Sequence, residues 1–373
     1  MVARKPSTPT DVGAIGMLAR IGVALVVVYV LAAAVWVLQS GYGRDEYLLN
    51  VANDSTRELW RELNAAFADF YKQEHGVRPL IRQSHGGSGS QARAVIDGLP
   101  ADVVSLALWT DTDAIRRAGL IEADWERRWP NRSLPFVSTI VFVVRKGNPK
   151  NIHFWEDLAG EDVNVITPNP RTSGNGKWAF LAIWGSVVWR GGTDEQARDF
   201  VTRVYRRVPT LDTSSRAATM TFIQKRIGDV LVTWENEAHL VVRETQGQVE
   251  IVYPETRAPG PPISVLAEPH VAVVDANVRR KGTSSLAEEY VRFLYSPPAQ
   301  RIIVNNFLRP TGIENRLGVD PGLRSRYQEL FPPMELHRAT TLVQSGQWAE
   351  LQGRFFAEGG IFDQVQLAVR SGL

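Results

Sequence analysis

Short β-branched runs alternate with amphipathic stretches along most of the chain, and this alternation predicts an α/β architecture built on parallel sheets. Eight runs read as strands: LLNVAN (48–53), PLIRQS (79–84), DVVSLAL (102–108), STIVFVVRK (138–146), NVITP (164–168), DVLVTW (229–234), QVEIVYP (248–254) and HVAVVD (270–275). Helical periodicity fills the gaps at Thr56–His75, Ser88–Asp97, Asp111–Ala118, Lys177–Trp189, Asp194–Arg206, Ser215–Ile227, Glu237–Gln246 and Leu286–Tyr295. The Pro- and Gly-rich PETRAPGPP (254–262) reads as a loop. After Pro310 the strand pattern stops and the chain is expected to finish in helices. Eight strands suit two sheets.

One segment stands outside this pattern. Ile21–Leu38 is an uncharged apolar run of 18 residues, preceded by Arg4, Lys5 and Arg20. At about 1.5 Å per residue it just crosses a hydrocarbon core of about 30 Å, longer than the stretch of about 7–15 residues in a cleavable signal. Ala32, Ala33 and Ala34 are small enough for a signal peptidase, so residues 1–42 read as a membrane anchor or signal segment. The basic residues on its N-terminal side place everything from about residue 42 onward outside the cytoplasm.

Composition removes several chemistries. The 373 residues include no cysteine, which excludes disulfides, thiolate metal sites, a Cys nucleophile and a lipid-modified cysteine. Lys and Arg number 42 against 40 Asp and Glu, but Arg4, Lys5, Arg20 and Asp11 lie in the first 40 residues, leaving 39 of each sign beyond them. A neutral exported part argues against nucleic acid, whose phosphates demand a basic excess. The six histidines (75, 85, 153, 239, 270 and 337) show no ligand spacing, and no G-x-S-x-G elbow occurs. Glu235 and Glu237, two apart, would face opposite ways on a strand. No enzyme signature, cofactor or metal site is indicated.

Several strand ends run instead into small, polar residues and then a helix, the arrangement that binds anions. QSHGGSGSQARAVI (83–96) offers Gly86, Gly87 and Gly89 for close backbone approach and a Ser88 hydroxyl at a helix start. TPNPRTSGNGKWAFLAIWG (167–185) presents Thr172, Ser173, Gly174 and Asn175 before a strong helix. Both fit G-x-G-x-x-A without the acidic residue a dinucleotide site needs, and neither is a P-loop. One such loop is also an ordinary capped turn; two in one chain weaken that reading. LDTSSRAATMTF (211–222) sets hydroxyls and Arg216 at a third helix start, and Trp234 closes a strand with an indole that donates only, although a lone Trp is more often a core residue. Asp54 precedes a Ser55-x-x-Glu58 capping box, so it reads as a cap rather than an acid catalyst.

These stretches, in this order, resemble the periplasmic sulfate-binding proteins that feed sulfate/thiosulfate ABC importers. The resemblance runs from about Leu48 to Val365 through LLNVANDSTRELW, QSHGGSGSQA, STIVFVVRKGNPK, VITPNPRTSGNGKWAFLAIWG, GDVLVTWENEA, LAEPHVAVVD, NFLRP and FAEGGIFDQV. It implies a two-lobed type II periplasmic-binding-protein fold with hinge strands: one lobe from 46–137 and 268–373, the other from 138–267. It further implies a dry anion site of uncharged donors: the Asp54 N–H, Ser88, Ser173, Gly174, Asn175, the Ser215 N–H and Trp234. Asn175 stands where a second glycine is usual, Ser215 lies in a segment that usually reads Gly-Ala-Arg, and Ser55 replaces a proline. Arg216 and Lys177 are expected to support loop carbonyls behind the site. The implied partners are sulfate or thiosulfate, an ABC permease with its ATPase, and the membrane through residues 21–38, the chain acting as a monomer. A membrane-tethered oxyanion sensor is the alternative.

Overall fold

The computed structural model describes residues 29–30, 47–257, 259–311 and 321–372. The anchor or signal expectation therefore lies outside the described residues, except for Tyr29 and Val30. Among the described residues no helix is long and apolar enough to cross a membrane.

Residues 47–373 form one compact unit with two principal sheets. In the first sheet, β1 (Tyr47–Asn53) lies between β2 (Leu80–Gly86) and β3 (Val103–Ser105) and runs parallel to both. A fourth strand, β11 (Val271–Val273), joins the outer edge of β3 antiparallel. The second sheet runs β7 (Leu211–Asp212), β6 (Val165–Pro168), β8 (Val230–Trp234), β5 (Ile140–Arg145) and β9 (Val249–Val252). Here β6 is parallel to β7 and β8, whereas β5 is antiparallel to both β8 and β9. All eight expected strands are present, but the sheets are mixed and not purely parallel. The antiparallel members, β5 and β11, directly follow the two passages of the chain from one sheet to the other, and a strand entering a sheet without a crossover helix can run either way.

Those passages lie side by side. Ser138 and Ala267 exchange backbone hydrogen bonds of 3.0 and 2.9 Å, and Thr139 Oγ1 donates to Val265 O at 2.8 Å. Short β4 (Phe136–Val137) pairs with β12 (Arg309–Pro310), and β10 (Ile263–Leu266) pairs with β13 (Glu335–Arg338). The strand β13 corrects the expectation that strands end at Pro310. Its sequence, ELHR, has no apolar alternation; it is a strand because the free edge of β10 needs backbone partners.

Helices follow the strand ends. The first, α1 (Arg57–His75), buries Leu59, Trp60, Leu63, Phe67 and Tyr71 along one stripe and stops at Gly76, whose φ of 76° lets its N–H close on Lys72 O. Next come α2 (Ser88–Ile96), α3 (Trp109–Arg117), α4 (Gly174–Val188), α5 (Asp194–Arg206), α6 (Ser215–Ile223), α7 (Glu235–Glu244), α8 (Asp275–Lys281), α9 (Ser284–Phe293) and α10 (Pro297–Asn305). Beyond residue 320 lie α11 (Pro321–Leu330), α12 (Trp348–Phe356) and α13 (Ile361–Ser371). Mostly apolar, α4 is buried from Gly174 to Ser186, between the second sheet and the last two helices.

The assignment of all of 268–373 to the first lobe is accordingly corrected. The ring of Trp348 meets Trp178 edge-on at 5.7 Å, Phe362 meets Phe180 at 5.6 Å, and Phe355 meets Trp184 at 5.2 Å. Residues 348–371 thus belong to the core of the second half, because α4 needs apolar cover on the side its sheet leaves open.

Candidate functional site

Five strand ends in this fold pass directly into helix starts. The end of β1 passes through a tight turn, Asp54–Thr56, into α1; β2 passes through Gly87 into α2; β6 leads through residues 169–173 into α4; β7 leads through Ser214 into α6; β8 runs straight into α7. The first turn of each helix carries N–H groups with no intrahelical acceptor and a partial positive charge, and α/β sheets gather such ends on one side.

Direct contacts join these starts across the two halves. A Cβ placed on Gly174 would overlap Ala107 Cβ and lie 3.0 Å from Ser88 Cβ and from Leu108 Cδ1. One on Gly87 would overlap the carbonyl oxygen of Thr172 and lie 3.7 Å from that of Thr213. The Trp178 indole donates to Ala107 O at 2.8 Å, Asn236 Nδ2 donates to Ser55 O at 2.6 Å, and Lys177 Nζ meets Asp111 Oδ1 at 3.2 Å. The cleft is closed, and the strand-to-helix loops singled out as anion-binding in the sequence meet one another inside it.

Each expected residue has a definite place. Asp54 does not cap its own helix, and the Ser55–Glu58 capping box does not form, since neither the turn nor α1 has a side-chain cap. The Asp54 carboxylate instead accepts the Arg216 N–H at 3.1 Å, capping α6 in the opposite half. Ser88 Oγ donates to Asp111 Oδ2 at 2.6 Å and accepts from Ala107 N at 3.0 Å. Its hydroxyl hydrogen is therefore engaged, and only its backbone N–H is left for a ligand, which corrects the expected hydroxyl donor. Ser173 Oγ caps α4 by accepting from Gly176 N at 3.4 Å, so its hydrogen is free to donate. Asn175 Nδ2 donates to Ser215 Oγ at 2.6 Å and Thr233 Oγ1 at 2.9 Å, tying α4, α6 and β8 together. Ser214, and not Ser215, caps α6, so the Ser215 N–H stays outside the cap. Trp234 is fully buried, and its indole nitrogen has no hydrogen-bond partner.

The charged neighbours differ from expectation. Lys177 supports no loop carbonyl; it pairs with buried Asp111, a residue that sequence alone did not single out and that also fixes Ser88. Arg216 reaches Glu244 Oε2 at 3.3 Å. Glu235 and Glu237 sit on the first turn of α7 and not on a strand. Glu235 is locked by Arg309 through two bonds of 2.7 and 2.8 Å, which holds the end of β8 in place. No cationic side chain is left unpaired among these. A separate surface cavity of about 600 Å³ is lined by charges of both signs, Glu156, Glu195 and Asp199 with Arg190 and Arg203.

Burial pushes the Glu237 carboxyl up to about 7, against an ordinary 4.5, although the Thr219 hydroxyl donates to it at 2.8 Å. A raised carboxyl binds its proton more tightly in the folded than in the unfolded chain, so its contribution is complete below about pH 4.5 and is lost as pH rises towards 7. Between those values this group should lower stability by about 1.4 kcal/mol per pH unit. Urea unfolding of wild type and Glu237→Gln across that window checks this. The variant is expected to lose that part of the slope; equal slopes would contradict the assignment.

Comparison with known proteins agrees with the geometry. Residues 48–309 match the family described as bacterial extracellular solute-binding protein. The chain is 46% identical to a sulfate-binding protein of Escherichia coli K12 over 86% of its own length and 93% of the relative's. It is 45% identical to a thiosulfate-binding protein of Pseudomonas aeruginosa over 85% and 91%. The solved sulfate-binding protein of Mycobacterium tuberculosis superposes with a TM-score of 0.71 at 30% identity, covering 83% of this chain and 99% of that one. On the family match and these identities, the chain belongs to the bacterial extracellular solute-binding protein family.

Proposed function

We propose that this chain is an extracytoplasmic receptor for sulfate or thiosulfate that delivers its anion to an ABC permease and its ATPase, performing no chemistry on the ligand. It acts as a monomer, tethered by the apolar run 21–38. The observation that carries the reading is the buried, unpartnered indole N–H of Trp234, which adjoins Thr233 and so the joined starts of α4 and α6. A buried donor without an acceptor costs about 1–3 kcal/mol, and an anion in the cleft removes that cost.

The proposed donors are the N–H groups of Asp54, Ser88, Gly174, Asn175 and Ser215, the Ser173 hydroxyl and the Trp234 indole. Helix starts spread positive potential over such an anion without a contacting Arg or Lys. Sulfate is fully deprotonated at neutral pH and matches a ring of donors. Phosphate keeps a proton that would lack an acceptor there, a mismatch of about 1–3 kcal/mol or more. The ligand contacts span both halves, so binding favours the closed form, which a permease can distinguish from the open one. Neither the fold nor the named relatives point to a signalling partner.

Equilibrium dialysis of the full chain with radiolabelled sulfate tests the reading. One ion per chain, displaced by unlabelled sulfate, is expected. Failure to retain either radiolabelled sulfate or, in a parallel dialysis, radiolabelled thiosulfate would contradict it.

A further inference from the structure

Relatives of nearly equal identity are named for different anions, so overall similarity does not choose between sulfate and thiosulfate. The start of α4 carries information that bears on the choice. Asn175 and Ser215 are only 3% and 1% exposed. The Asn175 amide spends Nδ2 on two hydroxyls, Ser215 and Thr233, while its Oδ1 is buried with no partner. A hydroxyl can give or take a hydrogen, so the same two residues hold the amide equally well when it is turned over. Oδ1 then accepts from both, and Nδ2 is the atom left unmatched.

Beside a dianion these two orientations are not equivalent. A leftover Oδ1 sets a negative oxygen against the ligand, whereas a leftover Nδ2–H donates to it. We infer that Asn175 is a specificity-determining residue: it turns Nδ2 toward the bound anion and makes the site prefer sulfate over thiosulfate. This deepens the receptor reading above and rests on it. Thiosulfate presents sulfur at one of its four vertices, and sulfur is both larger than oxygen and a weaker acceptor. A side-chain donor added to the backbone donors at this helix start rewards an oxygen there and crowds a sulfur.

The test is titration calorimetry of the full chain and of Asn175→Gly with both anions, with melting temperatures taken without anion to confirm folding. Wild type is expected to hold sulfate at least about 10-fold tighter than thiosulfate, and Asn175→Gly to lose about 10-fold for sulfate but under about 3-fold for thiosulfate. In nitrogen-15-labelled wild type, sulfate should shift the Asn175 side-chain NH₂ resonances, which a bracing role distant from the ligand would not require. Equal losses for both anions, a wild-type preference for thiosulfate, or unmoved NH₂ resonances on saturation with sulfate would each overturn the inference. Binding of neither anion by wild type would instead overturn the receptor reading itself.

Discussion

Substituting alanine at Gly174 is expected to remove tight anion binding, by about 100-fold or more, while leaving both halves folded. The added Cβ would overlap Ala107 and press on Ser88 and Leu108, all of which belong to the opposite half. Close-packed neighbours cannot yield to a collision of that kind, particularly where Trp178 and Lys177 on the same helix are bonded to Ala107 and Asp111. The backbone at Gly174 is not in the left-handed region, and alanine favours a helix more than glycine does, so α4 itself should be unharmed. Blocked closure denies the anion one half of its donors, and a 100-fold loss corresponds to about 2.7 kcal/mol. Calorimetry with sulfate, together with a melting curve without it, checks the point. Affinity within about threefold of wild type would show that the two halves need not touch here.

The second large effect is expected at Trp234. Replacement by phenylalanine keeps an aromatic ring in the core and deletes one donor to a buried charged ligand, so sulfate affinity should fall by about 1–3 kcal/mol, or about 5- to 150-fold. Trp184 supplies the control. It too is buried with an unpartnered indole nitrogen, but it packs on Phe355 in the core of the second half, so Trp184→Phe should leave binding unchanged. If Trp234→Phe also left binding unchanged, Trp234 would be a core residue and the site would lack its one indole donor.

The principal strands and the helix starts were legible in the sequence for a common reason. Buried strands such as β5 carry continuously apolar runs, here IVFVV, and the small polar residues after β2, β6 and β7 interrupt that pattern visibly. What could not be read depends on contacts distant in sequence. Nothing near Ser88 announces that Asp111 will take its hydroxyl hydrogen, nor does the sequence around Asp54 show that its carboxylate will cap α6, 162 positions further on. The last two helices were expected as helices, but their partner was not legible, because an amphipathic stripe specifies that a face is buried and not against what. The two-residue strands β4, β7 and β12 are too short to show any period.

The sharpest discrimination of the account comes from thermal unfolding of the full chain with sulfate and with phosphate at equal concentration near neutral pH. If the cleft offers hydrogens and no acceptor, sulfate at about a hundred times its dissociation constant should add roughly 2.7 kcal/mol of stability, and phosphate should add far less. Equal protection by the two ions would contradict it.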